Sequence, residues 1–387
     1  MDQIIPREIE SAMSARLRED DRALILFGAR RVGKTTLARR LVEVHGGRCL
    51  ELSGDEVPVV DALSSRDGER LRGLVRGYDL MFLDEAQRIP DIGLGLKILH
   101  DTLPGFRMIV TGSSALDLAS KTREALTGRA WTFRLGPFSQ KELLDSEGAW
   151  ELGRRLDRDL VYGTYPESRK LGGDAERAAF LRELHASYLF KDIFELGGIR
   201  QPRKIVDLLR LLAMQVGSEV SLTELGSLLA MSKDTVSSYL DLLEKSFIVF
   251  RLPAFSRNIR NEVARSTKVY FFDNGVRNAA MDDFRPFATR MDKGALWENF
   301  IVAERRKRAA TPGTEAAAYF WRLSSGPEID YVEDSGGRLS AWEIKLSPEA
   351  RARCPASWKT AYPDASWSRV DRSNYLDFVA AAREGSA

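Results

Sequence analysis

A lysine, a threonine and two acids stand out as side chains that could do chemistry together. Gly28-Ala-Arg-Arg-Val-Gly-Lys34-Thr35-Thr36 follows the spacing G-x-x-x-x-G-K-[ST]. That spacing lets a backbone curl its N–H groups around a phosphate at a helix start, where the dipole favours negative charge. Lys34 would reach the β/γ-phosphates, and the Thr35 hydroxyl would ligate Mg²⁺. Gly28, Arg30, Arg31, Val32, Gly33 and Thr36 complete the loop around them. Further along, Asp84 and Glu85 close the largely apolar run that begins at Tyr78. Asp84 is placed to hold the magnesium of a bound nucleotide, in part through water, and Glu85 to orient and polarise an attacking water.

Two weaker candidates accompany these. Ser113 and Ser114 end the next apolar run and would face the γ-phosphate as sensing or water-positioning hydroxyls; small polar residues in a turn explain them equally well. Arg129, in Leu126-Thr-Gly-Arg129, lies just before Ala130-Trp-Thr-Phe-Arg-Leu135. An arginine there would stabilise transition-state charge on a neighbouring subunit's nucleotide, with Arg123 as competitor.

These side chains need elements to hold them. Ala23-Leu-Ile-Leu-Phe27 reads as a buried strand feeding the loop, and Thr36–Val42 as the helix leaving it. Residues 2–21 read as a preceding amphipathic helix. Arg48–Leu52, Tyr78–Asp84, Phe106–Ser114 and Ala130–Leu135 supply four more strands separated by helical segments. Strands alternating with helices predict an α/β domain with a parallel sheet in three layers. From Ser139 to about Leu212 the pattern turns helical, interrupted at Gly163-Thr-Tyr-Pro166.

Composition sets bounds. The 387 residues suit two to four domains. A net charge of +2, 44% hydrophobic and 29% charged residues describe a chain able to bury real cores. Arginine outnumbers lysine 44 to 14, which suits phosphate recognition and equally reflects genomic bias. Cys49 and Cys354 stand far apart, the three histidines are scattered, Met1-Asp-Gln-Ile reads as no signal-peptide pattern, and no apolar run approaches membrane length. The expected location is cytoplasmic.

Taken together, Gly28–Thr36, Phe82-Leu-Asp-Glu-Ala-Gln87, Val110-Thr-Gly-Ser-Ser114, Leu126-Thr-Gly-Arg129 with Leu135-Gly-Pro-Phe-Ser139, Gly163-Thr-Tyr-Pro-Glu167, Lys268-Val-Tyr-Phe-Phe-Asp-Asn-Gly275 and Trp342-Glu-Ile-Lys345 resemble the AAA+ ATPases whose C-terminal region is called DUF4143. The resemblance implies ATP with Mg²⁺ and a three-layer P-loop core over residues 1–138. Beyond the core it implies a helical lid or linker over 139–212, a winged helix over 213–265, and a restriction-endonuclease-like α/β domain over 266–387.

Residues in the last two segments bear on that expectation. Thr223–Ala230 and Ser232–Lys245 outline a helix-turn-helix, with Ser232 as N-cap and Val236, Leu240 and Leu243 on one face. Phe247–Arg251 followed by Ser256–Arg260 suggests a hairpin wing, so that Lys233, Arg257 and Arg260 would meet DNA phosphates; interdomain packing is the competing reading. Glu298, Asp330, Glu343 and Lys345 stand in an order that resembles the PD-(D/E)xK nucleases. Asp330 and Glu343 would hold metal, Lys345 would stabilise developing charge, and Glu298 would orient the site. The leading expectation is an oligomeric, ring-forming ATPase that works on DNA. Two rivals stay open: a protein-scaffolding switch without DNA, and an ATP-regulated metal-dependent nuclease.

Overall fold

Every residue of Ala23–Gly28 (β1) is buried, which requires a strand covered on both faces. The computed structural model supplies those covers. It describes residues 5–112, 125–187, 201–256, 267–308, 316–323 and 326–380. The chain forms two units: Met1–Gly136 with Lys245–Phe247 and residues 310–312, and the remainder from Pro137 onward.

In the first unit, Cys49–Ser53 (β2), Leu80–Asp84 (β3), Arg107–Gly112 (β4) and Ala130–Leu135 (β5) join β1 in the order β2-β3-β4-β1-β5. All neighbouring pairs are parallel. Alternation then sorts the side chains. Ile25, Phe27, Met81, Leu83, Met108 and Val110 pack with residues of Val57–Leu63 (α3), Gly68–Leu74 (α4) and Ile92–Thr102 (α5). The opposite face is covered by Glu8–Glu19 (α1) and Lys34–His45 (α2). In α1, Ile9, Met13 and Leu17 recur every four residues and are the buried stripe. The expected α/β arrangement with a parallel five-stranded sheet is therefore present, its layers being helix, sheet and helix.

The second unit opens with helices Gln140–Glu147, Ala149–Tyr162, Asp174–Ser187 and Pro202–Met214. The first of these starts in a capping box between Ser139 and Glu142. Helices Leu222–Leu229 and Lys233–Lys245 follow. Ser232 Oγ accepts from Thr235 N at 3.1 Å, the N-cap bond expected of it. Two sheets complete the unit. Glu219–Val220 (β6), Val249–Pro253 (β7) and Thr267–Phe271 (β8) form one in the order β6-β8-β7. Ala317–Arg322 (β9), Glu328–Ser335 (β10), Arg338–Ile344 (β11) and Ser366–Val370 (β12) form the other, in reverse chain order.

The expected wing strand Phe247–Arg251 overlaps β7, which pairs antiparallel with β8, from Val249↔Phe271 to Pro253↔Thr267; of its expected partner Ser256–Arg260 only Ser256 is among the described residues. Arg257 and Arg260 lie outside the described residues. The pairing also spans the boundary expected at residue 265. Lys268 to Phe271 of β8 are all buried.

The break at Gly163 has a physical cause. Gly163 ends helix Ala149–Tyr162 at φ 66°, ψ −166°, a region essentially reserved for glycine. A Cβ there would lie 1.9 Å from Asp273 Oδ1. Asp273 in turn accepts from Thr164 N at 2.8 Å and caps helix Asn274–Met281 through Gly275 N. Gly163→Ala should therefore destabilise the second unit by about 2–4 kcal/mol, read as a fall in its urea midpoint; an unchanged midpoint would contradict this geometry.

Candidate functional site

The carboxyl ends of β1, β4 and β3 lie side by side, since Phe27 pairs with Gly112 and Leu83 with Val110. Ligands of open α/β sheets gather at such an edge. Gly33 stands in the left-handed region at φ 99° and starts α2, so the loop turns and presents the helix N-terminus within one residue. Gly28 is also required: a Cβ there would lie 2.0 Å from the Leu135 carbonyl.

The structure brings the expected residues together around Asp84. Thr35 Oγ1 donates to Asp84 Oδ2 at 2.8 Å. Thr111 Oγ1 donates to Asp84 Oδ1, and Glu85 N donates to that same oxygen at 3.1 Å. Lys34 is 7% exposed and its ammonium donates to the carbonyls of Gly28 and Ala29 at 2.9 and 2.8 Å. Val32 is buried, Arg30 and Thr35 are half-buried, and Arg31 and Thr36 are exposed. Glu85 sits in the left-handed region at φ 51°, ψ 40°, and Gln87 Nε2 donates to its Oε2.

Sequence reasoning missed three partners here. Arg7 donates to the carbonyls of Val32 at 2.8 Å and Gly136 at 2.6 Å, tying the loop to the end of β5. Thr111 also went unanticipated, its hydroxyl donating to Asp84; Ser113, Ser114 and Arg123 lie outside the described residues. Gln87 was visible only as the last letter of a motif.

Arg129 is elsewhere. It precedes Ala130, which pairs with Ala23 at the amino end of β1. With about 3.3 Å per strand residue, it stands roughly 20 Å from the loop of its own chain. Its Nε donates to Asp101 Oδ1 at 2.6 Å, and that contact, with His100 beside it, holds the Asp101 carboxyl below its usual range.

In the second unit, Glu298 on helix Lys293–Arg308, Asp330 on β10, Glu343 on β11 and Lys345 also come together. Lys345 Nζ lies 2.6 Å from Glu343 Oε1 and 3.9 Å from Asp330 Oδ2. Asp330 Oδ2 accepts from Ile344 N at 2.8 Å. Three residues of this cluster were not anticipated. Tyr270 Oη donates to Glu298 Oε1 at 2.7 Å, Lys268 Nζ lies 3.4 Å from the same oxygen, and Lys268 also pairs with Glu328. Positive charge is thus supplied by Lys268, 3% exposed, and Lys345. Among the described residues, no three His, Cys, Asp or Glu side chains are grouped to hold a metal ion. Nor is any described helix long and apolar enough to cross a membrane.

Burial, reinforced by the Asp330 charge and opposed by Lys268, pushes the Glu298 carboxyl up to about 7. Burial likewise raises Asp330 and Glu343. An acid with a folded pKa above its unfolded one takes up a proton on folding. The stability it lends is complete below about pH 4.5 and lost as pH rises through about 7. Glu298→Gln should therefore flatten the fall in stability across that window by on the order of 2–3 kcal/mol; parallel curves for variant and wild type would refute the assignment.

Known proteins resemble this chain in parts. Residues 20–144 match the family described as AAA domain. Residues 153–286 and 293–376 match two domains of unknown function, DUF8612 and DUF4143. An uncharacterized protein of Mycobacterium tuberculosis is 29% identical over 327 residues, covering 83% of this chain and 70% of its own. An uncharacterized protein of Methanocaldococcus jannaschii is 22% identical over 327 residues, covering 80% and 71%. The solved Walker-type ATPase of Pyrococcus abyssi is 18% identical and covers 72% of this chain and 96% of its own, with a TM-score of 0.49. Residues 20–144 are thus similar to an AAA domain and residues 293–376 to DUF4143.

Proposed function

We propose that the first unit binds ATP with Mg²⁺ and hydrolyses it. The observation that carries this reading is the convergence of Thr35 and Thr111 on Asp84 beside the buried Lys34. These groups fit the ligand. The Thr35 hydroxyl and the Asp84 carboxylate are hard oxygen donors 2.8 Å apart, the kind magnesium takes alongside waters. Lys34 is an ammonium at a helix start, suited to the terminal phosphates. A bound magnesium would neutralise charge building up on the phosphates. Thr35 and Asp84 would hold it, Lys34 would exchange its own loop carbonyls for the phosphates, and Glu85 would accept a proton from the attacking water. Arg129 lies too far to serve its own chain, so any part it plays is in another copy's site.

The hydrolysis reading is tested by ATP turnover. Lys34→Ala should abolish nucleotide binding or turnover, and Glu85→Gln should keep binding while turnover falls at least about 100-fold. Undiminished turnover in Glu85→Gln would remove it from the chemistry.

We further propose that this turnover is coupled to DNA through the helix pair Leu222–Leu229 and Lys233–Lys245. Val236, Tyr239, Leu240 and Leu243 are buried, leaving Lys233, Thr235 and Ser238 on the outer side. The acids further along that helix are already engaged: Arg251 Nη2 lies 2.7 Å from Asp241 and 2.6 Å from Glu244. An open pocket of about 510 Å³ is lined by Asp234 and Met231 as well as by Ser232, Thr235 and Ser238. In this reading the Glu298–Asp330–Glu343 cluster is a charge network, because Lys268, Tyr270 and Lys345 hold its carboxylates. Duplex, single-stranded or four-way-junction DNA should stimulate turnover in a salt-sensitive way, and Lys233→Glu should blunt that response. A flat response to all three DNAs would favour a protein-scaffolding switch.

A further inference from the structure

Glu85 is restrained to an unusual degree for a side chain at the edge of a sheet. Its backbone is left-handed, its N–H is held by Asp84 Oδ1 at 3.1 Å, and its carbonyl accepts from Arg88 N at 3.1 Å. Gly54, at the end of β2, presses on that carbonyl so closely that a Cβ would lie 2.3 Å from it. Ala86, immediately after, is wholly buried. The main chain is therefore fixed and only the side-chain torsions stay open. The side chain that closes them is Gln87, whose amide donates to Glu85 Oε2.

We propose that Gln87 is the positioning residue for Glu85 in the hydrolytic step, an assignment that rests on the ATPase reading above. A carboxylate acting as a base uses one oxygen. A donor fixed on the other keeps the carboxylate in one rotamer and leaves Oε1 to the water. In the step itself the water oxygen forms a bond to the terminal phosphorus, and the bond from that phosphorus to the bridging oxygen breaks. ADP and phosphate leave, and the proton lost by the water passes to Glu85. In this assignment Gln87 bears on Glu85 rather than on the water or the phosphate. It acts by geometry, and misplacement of a base by about 1 Å costs roughly 100-fold in rate. Glutamine fits this part because its amide donates at every working pH and adds no charge beside the base.

The test measures steady-state turnover and nucleotide affinity in the full chain, using a fluorescent ATP analogue for binding. Gln87→Ala should lower kcat by about 10- to 100-fold while KM and analogue affinity stay within about two-fold of wild type. Gln87→Glu keeps the shape but donates only when protonated, so its deficit should shrink as pH falls from about 8 to about 6. Adding Gln87→Ala to Glu85→Gln should slow turnover no further. Unchanged kcat in Gln87→Ala overturns the assignment, as does a matching loss of affinity and thermal stability, which would make the residue structural. If Lys34→Ala turns over as fast as wild type, the ATPase reading fails and takes this assignment with it; normal loss in Lys34→Ala with full activity in Gln87→Ala fails this assignment alone.

Discussion

Asp84 is the joint on which the first unit's site depends. A carboxylate at the mouth of a buried sheet is costly to desolvate unless several donors meet it. Here three do, each from a different part of the chain's path: Thr35 from the helix after β1, Thr111 from β4, and the N–H of Glu85 beside it. Only parallel strands in the order β3-β4-β1 put those donors on one edge. The interaction ties local conformation to sheet topology: a slip in strand register would turn Thr111 to the other face of β4 and leave Asp84 short of a donor.

The second unit is organised by the same rule applied to buried charge. Arg277 and Arg290, both at most 3% exposed, meet Asp292 within 3 Å. Arg305 meets Glu333 at 2.6 Å with both side chains at most 5% exposed. Losing one partner of such a pair strands the other and costs several kcal/mol, whereas the intact pair adds little net stability. Arg305–Glu333 thus links helix Lys293–Arg308 to β10, and Arg277–Asp292 links helix Asn274–Met281 to the residue just before helix Lys293–Arg308, fixing neighbours more than adding stability.

Much of the first unit was legible because its signals are local. The apolar run Ala23–Phe27, the glycine spacing and the helix after it lie within about twenty residues, and their geometry follows from one another. Ala130–Leu135 was equally clear as a strand. What stayed hidden involved partners far apart in the chain. Nothing near Lys268 in sequence tells that it turns to Glu298, thirty residues on, or that Tyr270 donates to the same oxygen. The β7–β8 pairing was not foreseen because no local signal links β7 to a strand beyond the segment that follows it. Nothing local in the sequence marked Thr111 either, whose hydroxyl the pleat of β4 aims at Asp84.

The left-handed backbone of Glu85 has a consequence for the molecule's evolution. A residue other than glycine at φ 51° carries strain on the order of 1 kcal/mol or more. Glycine or asparagine would sit there with less strain and would make a tougher fold. A selection for thermal endurance alone, without any demand on turnover, would drift away from glutamate at this position. A glutamate there holds the first unit below the stability its own sheet could reach, at one of several left-handed non-glycine positions, with Arg31, Arg66 and Asp91, that the unit carries.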